Sequence, residues 1–424
     1  MRNAALGNKL WYKKNLSLNG KYGWRTIFAR CRYQPYRIVF LPVLLLISVL
    51  VRCFSKISSF SRRNTNLKGQ IKPIALYLPQ YHTIPENDDW WGKGFTEWTN
   101  VRKAKPLFPG HYQPHVPHPD IGYYDLSDVS IMKKQADMAK RYGIYGFCFY
   151  YYHFKDGKRL LEKPLNNWLS HPEIDFPFCF AWANENWTRS WDGGDKKVIM
   201  PQDYDKSNMN RMIREMIPAF KDKRYIKVDG KPMLLVYRTE IIPDVQNTVK
   251  EWRKIVVENG FSGLYLVMMQ NFCFRSPLEF GMDAATEFAA ARGMGACSKY
   301  EAKEYDVKSF DGLNPVRYNS VRYFCRSLNN PDFLRYKCVC PGWDNSPRRG
   351  SQGHFIIDSS PKSFSDFFYE ACVQTIKDKR LRKDGFVFIN AWNEWGEGTH
   401  LEPDEKYGYA NLEAVQSVLK FFVN

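Results

Sequence analysis

Eight short apolar runs, separated by longer stretches of helical periodicity, constrain this chain more than any other feature. They are Ile74–Tyr77, Ile144–Tyr150, Pro177–Ala181, Met233–Val236, Leu264–Met268, Ala284–Glu287, Lys337–Val339 and Gly385–Ile389. Strand-like runs that alternate with helices argue for a parallel sheet, because each parallel connection needs a crossover. Eight is the number at which such a sheet closes into a single (β/α)8 TIM barrel, and about 350 residues lies within that fold's usual span. The helices between them are predicted at Ser130–Tyr142, capped by Ser127 or Asp128, and at Ser207–Phe220, Val245–Asn259, Ser363–Asp378 and Asn411–Val423.

The runs end in polar and aromatic clusters. The first leads into Tyr81 and His82, and the second into His153. The third leads into Trp182, Asn184, Glu185, Asn186 and Trp187. The sixth ends at Glu287, the seventh leads to Asp344, and the eighth to Trp392, Asn393, Glu394, Trp395 and Glu397. In a barrel these ends meet at one rim, where such folds place their chemistry. The pattern therefore predicts long, functional βα loops, with these residues as sugar contacts.

Glu394 and Glu397 are the candidate catalytic residues. Glycosidic chemistry needs one carboxyl group to assist the leaving oxygen and a second to manage charge at the anomeric carbon. Burial among indoles raises a glutamate's proton affinity, which suits an acid. The competing reading makes one of the two structural, paired with an arginine of a neighbouring loop. Trp90, Trp91, Glu97 and Trp98 lie on the long first loop, as an acceptor subsite or as that loop's own small core. Asp203 and Asp205 match a metal-binding Asp-x-Asp, but an N-cap before Ser207 accounts for them better. Cys338 and Cys340 lack a second ligand pair, so no metal and no cofactor is expected. There is no glycine-rich phosphate loop after a strand, no His-Glu-x-x-His and no nucleophile elbow.

Charge separates the chain into two parts. Residues 1–85 hold 15 of the 62 Lys and Arg and no acid, leaving 47 basic against 44 acidic residues in the remainder. The main domain is thus nearly neutral, which removes the support for a nucleic-acid partner. Residues 1–71 read as a basic N-terminal segment, and 72–424 as the catalytic domain. The apolar run Ile38–Val51 is shorter than the roughly 20 residues of a spanning helix. It reads as an interfacial anchor or short tilted span, with a helix packed on the main domain as the alternative. Basic residues flank it on both sides, so its orientation is open. Ten scattered cysteines fit a reducing compartment.

Four segments carry a family resemblance: Ile74-Ala-Leu-Tyr-Leu-Pro-Gln-Tyr-His82, Trp91 to Val101, Phe180-Ala-Trp-Ala-Asn-Glu-Asn-Trp187 and Ala391-Trp-Asn-Glu-Trp-Gly-Glu-Gly398. They resemble the WbsX-type proteins of bacterial polysaccharide synthesis, whose domain is similar to glycoside hydrolase family 99. The resemblance implies a (β/α)8 barrel and retaining α-mannosidase-like chemistry. It implies that Glu394 takes a proton from the sugar 2-hydroxyl and that Glu397 assists the leaving oxygen. The expectation is a membrane-associated glycosyltransferase at the cytoplasmic face of the inner membrane. Its substrate would be an oligo- or polysaccharide of the lipopolysaccharide or capsule kind. The alternatives are an endo-acting glycoside hydrolase and a non-catalytic carbohydrate-binding barrel.

Overall fold

Lys72–Tyr77 (β1) is the strand on which the sheet closes. It pairs in parallel with Phe386–Ile389 (β8) on one side and with Gly146–His153 (β2) on the other, so Ile74 lies opposite both Phe388 and Gly146. Around the ring follow Phe178–Trp182 (β3), Lys231–Val236 (β4), Tyr265–Gln270 (β5), Ala284–Glu287 (β6) and Arg335–Val339 (β7). Each pairs in parallel with its neighbour, and β7 returns to β8. The architecture is the expected closed (β/α)8 barrel. The computed structural model describes residues 68–108, 110–189, 194–288, 315–328 and 331–423. The apolar run at 38–51 and its basic surroundings lie outside these residues. No helix among the described residues is long and apolar enough to cross a membrane.

The strands form where the apolar runs predict them, with no end displaced by more than three residues. Among the described residues the helices are Pro85–Trp91 (α1), Glu97–Lys103 (α2), Val129–Arg141 (α3), Glu162–Ser170 (α4), Lys206–Lys221 (α5), Val245–Glu258 (α6), Tyr318–Ser327 (α7), Ser346–Arg349 (α8), Pro361–Lys377 (α9), Lys379–Asp384 (α10) and Ala410–Leu419 (α11). Local chemistry sets their starts. Asp128 caps α3, its carboxylate accepting from the Ser130 N–H at 2.8 Å. Asp205 caps α5 by accepting from the Ser207 N–H at 2.8 Å, so the Asp-x-Asp pattern is a helix start. Ser360, followed by Pro361, starts α9 before the expected Ser363. The end of α10 turns at Gly385, whose positive φ of 72° suits glycine.

Between the strands and the helices lies an aromatic layer. Phe147 and Phe149 of β2 meet the Trp168 ring of α4 at 5.9 and 5.0 Å. Tyr77 packs 4.5 Å from Phe149 and donates to Gln135 of α3 at 2.6 Å. Each ring fully buried in this way stabilises the fold by about 1.5–3 kcal/mol. A rigid layer of this kind fixes the strand ends from which the rim loops project.

Candidate functional site

A cleft of about 340 Å³ opens at the C-terminal ends of the strands, within the size range of ligand pockets. Gln80 after β1, Tyr152 on β2, Glu185, Asn186 and Trp187 after β3, Asn345 and Arg348 after β7, and Glu394 and Glu397 after β8 all line it, with Trp91 of α1 at its edge.

Both glutamates are held by one arginine. Arg348 Nη2 donates to Glu394 Oε2 and Nη1 to Glu397 Oε1, each at 2.8 Å. Its third donor, Nε, reaches Glu97 Oε1 of α2 at 2.8 Å. The two readings of the pair thus coincide: the glutamates face the cleft and are also paired with an arginine of a neighbouring loop. The short helix α8 presents that arginine. Asp344, just before α8, accepts from the Ser346 N–H at 2.9 Å and from His111 Nε2 and Gln113 Nε2 at 2.6 Å each. Burial raises the Asp344 proton affinity, but these hydrogen bonds outweigh it and hold the carboxyl below its ordinary range.

Electrostatically the cluster sets three carboxylates against one guanidinium. Burial is the largest influence on Glu394 and pushes it from its usual 4.5 up to about 8; Arg348 opposes the shift, and Glu397 and Glu97 add to it. Glu397 is raised by the same burial. The Arg348 guanidinium stays charged because the three carboxylates outweigh its own desolvation. Such a pair retains one proton at neutral pH, which is what an acid working beside a base requires.

Several expected contacts are turned away from the cleft. Trp392 and Trp395 are fully buried, and their indole N–H groups donate to Glu402 at 3.1 and 2.7 Å. Asn393 joins β1 to the eighth loop, accepting from the Leu78 N–H at 2.7 Å and donating to the Leu78 carbonyl at 2.9 Å. Tyr81 donates to the Asn393 carbonyl and accepts from the Trp395 N–H at 3.3 Å. His82 is buried, with Nδ1 3.1 Å from the Pro79 carbonyl. His153 faces outward to Glu215 of α5 at 3.7 Å, and burial lowers it to about 4. Trp182 packs 5.8 Å from Trp252 of α6. Asn184 clasps Arg238, exchanging two hydrogen bonds of 2.8 Å with its backbone. Glu287 accepts from Lys337 Nζ at 3.1 Å beneath α9, with Arg335 3.4 Å away.

Glu185, Asn186 and Trp187 do line the cleft. Glu185 is ion-paired with Arg238, and the Asn186 side-chain Oδ1 accepts from the Gln202 N–H at 2.6 Å. Trp187 stands against Tyr152 at 5.2 Å and Trp90 at 5.9 Å. The first loop divides accordingly: Trp90 joins a small satellite core, while Trp91 reaches the cleft. Arg348, Gln80 and Tyr152 were not singled out in the sequence. Tyr152 was legible in principle, because neighbours on a strand point to opposite faces and His153 therefore could not share its direction. No group of three or more His, Cys, Asp or Glu among the described residues is arranged to hold a metal ion.

The family model for glycosyltransferase WbsX matches residues 73–415. Two curated relatives, both described as uncharacterized protein WxcX, come from two strains of Xanthomonas campestris pv. campestris. They are 38% identical over 349 and 353 residues, covering 82% of this chain and 49% of theirs. The chain spans about half the length of the curated relatives it matches. Among solved structures, a glycoside hydrolase-like protein aligns with TM-score 0.57 at 15% identity, covering 84% of this chain and 96% of that one. The family 99 endo-α-mannosidase of Bacteroides thetaiotaomicron aligns with TM-score 0.50 at 15% identity, covering 83% and 98%. These structures share the barrel; the family match runs through the strands and the rim loops alike, and the chain belongs to the WbsX glycosyltransferase family.

Proposed function

We propose that this carbohydrate-active enzyme is a glycosyltransferase of cell-surface polysaccharide synthesis, of the lipopolysaccharide or capsule kind, acting through Glu394 and Glu397. The observation that carries the two-glutamate site is the Arg348 fork, which seats both carboxyl groups side by side on the wall of a rim cleft; the match to the WbsX glycosyltransferase family is what supports transfer. In the first step Glu394 takes the proton of the sugar 2-hydroxyl, whose oxygen closes on the anomeric carbon. Glu397 gives its proton to the leaving oxygen as that bond breaks. In the second step the acceptor hydroxyl attacks the anomeric carbon and returns a proton to Glu397, while the 2-oxygen recovers its proton from Glu394. For the first step the proton held by the pair must sit on Glu397.

Trp91, Tyr152 and Trp187 are the ring surfaces on which a sugar would rest, in place of the buried Trp392 and Trp395. Residues 1–71 would hold the enzyme at the cytoplasmic face of the inner membrane, through the basic segment and the run Ile38–Val51. The test is product analysis on a synthetic lipid-linked α-mannoside with and without an acceptor glycan. Elongated product that forms only with acceptor is expected. Free oligosaccharide released without acceptor would overturn transfer in favour of an endo-acting hydrolase.

A further inference from the structure

One buried acid at the site has no part in the two steps above. Glu97 opens α2 and is fully buried. Its backbone N–H donates to the Gln80 carbonyl at 3.0 Å, tying the helix start to the loop after β1. Its Oε1 accepts from Arg348 Nε, and its Oε2 meets no donor among the described residues. A carboxylate taken out of water and left half-paired costs free energy that a neutral side chain would avoid. Its position therefore calls for a reason other than stability.

That reason lies in what Glu97 does to Arg348. A guanidinium is a planar fork with a fixed arrangement of donors. Holding Nε on Glu97 turns Nη1 and Nη2 toward Glu397 and Glu394. The single positive charge is then divided among three carboxyl groups and cannot neutralise the pair by itself.

We propose that Glu97 is a positioning residue for the reaction, which aims the Arg348 fork at Glu394 and Glu397 and, by sharing its charge, obliges that pair to keep one proton. The inference rests on reading the pair as acid and base. Other charged groups face the same space. Arg349 of α8 and Glu185 after β3 line the same cleft. The phenols nearby are pushed up by burial first and by a glutamate second, which is Glu97 for Tyr81, Glu394 for Tyr150 and Tyr152, and Glu185 for Tyr237, so they remain neutral at pH 7.

The test is a titration of the full chain labelled with ¹³C-glutamate, followed by NMR without any glycan. Signals of the pair are assigned by their loss in Glu394→Gln and Glu397→Gln. The pair is expected to carry one proton at pH 7. In Glu97→Gln the release of that proton should move to lower pH by about one unit, a roughly tenfold weaker hold. A folded Glu97→Gln protein whose midpoint is unchanged overturns the proposal, since a purely structural glutamate would alter the melting temperature alone. A wild-type pair fully ionised at pH 7 overturns it as well, and that result needs no variant. Because the titration uses no sugar, its outcome is separate from that of the transfer assay.

Discussion

Gly396 has no side chain because Glu97 occupies the space where one would stand: an ideal Cβ there would lie 1.7 Å from Glu97 Oε1 and 2.9 Å from Arg348 Nε. The glycine between the two site glutamates therefore serves close approach. Gly396→Ala should push Glu97 off the guanidinium and tilt the fork. Breaking a buried ion pair costs about 3–5 kcal/mol, and a misplacement of this size lowers turnover on the order of 100-fold. Denaturation curves and initial rates check both, and a variant with wild-type values on each would contradict this packing.

The shared proton predicts the pH dependence of the rate. Glu394 is held at about 8, mainly by burial. As pH rises through that value the pair loses its last proton, and with it the group that assists the leaving oxygen. The expected rate falls about tenfold per pH unit above the midpoint. Glu394→Gln and Glu397→Gln should each lower the rate about 10²- to 10⁴-fold. A pH–rate profile that stays level well above 8 would remove the acid from the mechanism.

What was legible in the sequence follows from range. Strands such as Ala284–Glu287 are set by local apolar runs, and the sequence places this one at its observed bounds. The carboxylate pair was visible because both members lie within four residues of each other. Arg348 was not, since its role depends on Glu97 and Glu394, which are 251 and 46 residues away. The indoles misled for a physical reason. Trp392 and Trp395 are amphipathic, and a buried carboxylate can satisfy their N–H groups as well as a sugar hydroxyl could. Without knowledge of Glu402 as their acceptor, a buried indole and a sugar platform read alike.

Trp187 offers the clearest separation of binding from chemistry. It is half-buried, lines the cleft and rests against Phe154 at 5.3 Å. Trp187→Ala removes apolar surface from the sugar's path without touching the Arg348 cluster. A loss of about 1–2 kcal/mol of contact should raise KM about tenfold while kcat changes little. Steady-state kinetics on one glycan distinguish this from an equal fall in kcat, which would place Trp187 in the chemical step.

Glu402 carries a prediction about stability. Its carboxyl accepts from Trp392, Trp395, Tyr124 and Gln135 at 3.1, 2.7, 2.8 and 2.6 Å. Each oxygen serves one indole. In Glu402→Gln an amide nitrogen replaces one oxygen, so in either orientation an indole N–H faces another donor. An unpaired buried donor costs about 1–3 kcal/mol. Burial outweighs the four hydrogen bonds and raises Glu402 from its usual 4.5 to about 7. A raised folded value means that the protonated form is favoured on folding. The associated stability is complete below about 4.5 and is lost as pH rises through about 7. Glutamine does not titrate, so the stability gap between wild type and variant should narrow across that window. Urea denaturation at several pH values measures the gap, and a gap that widened with pH would show that Glu402 is ionised throughout.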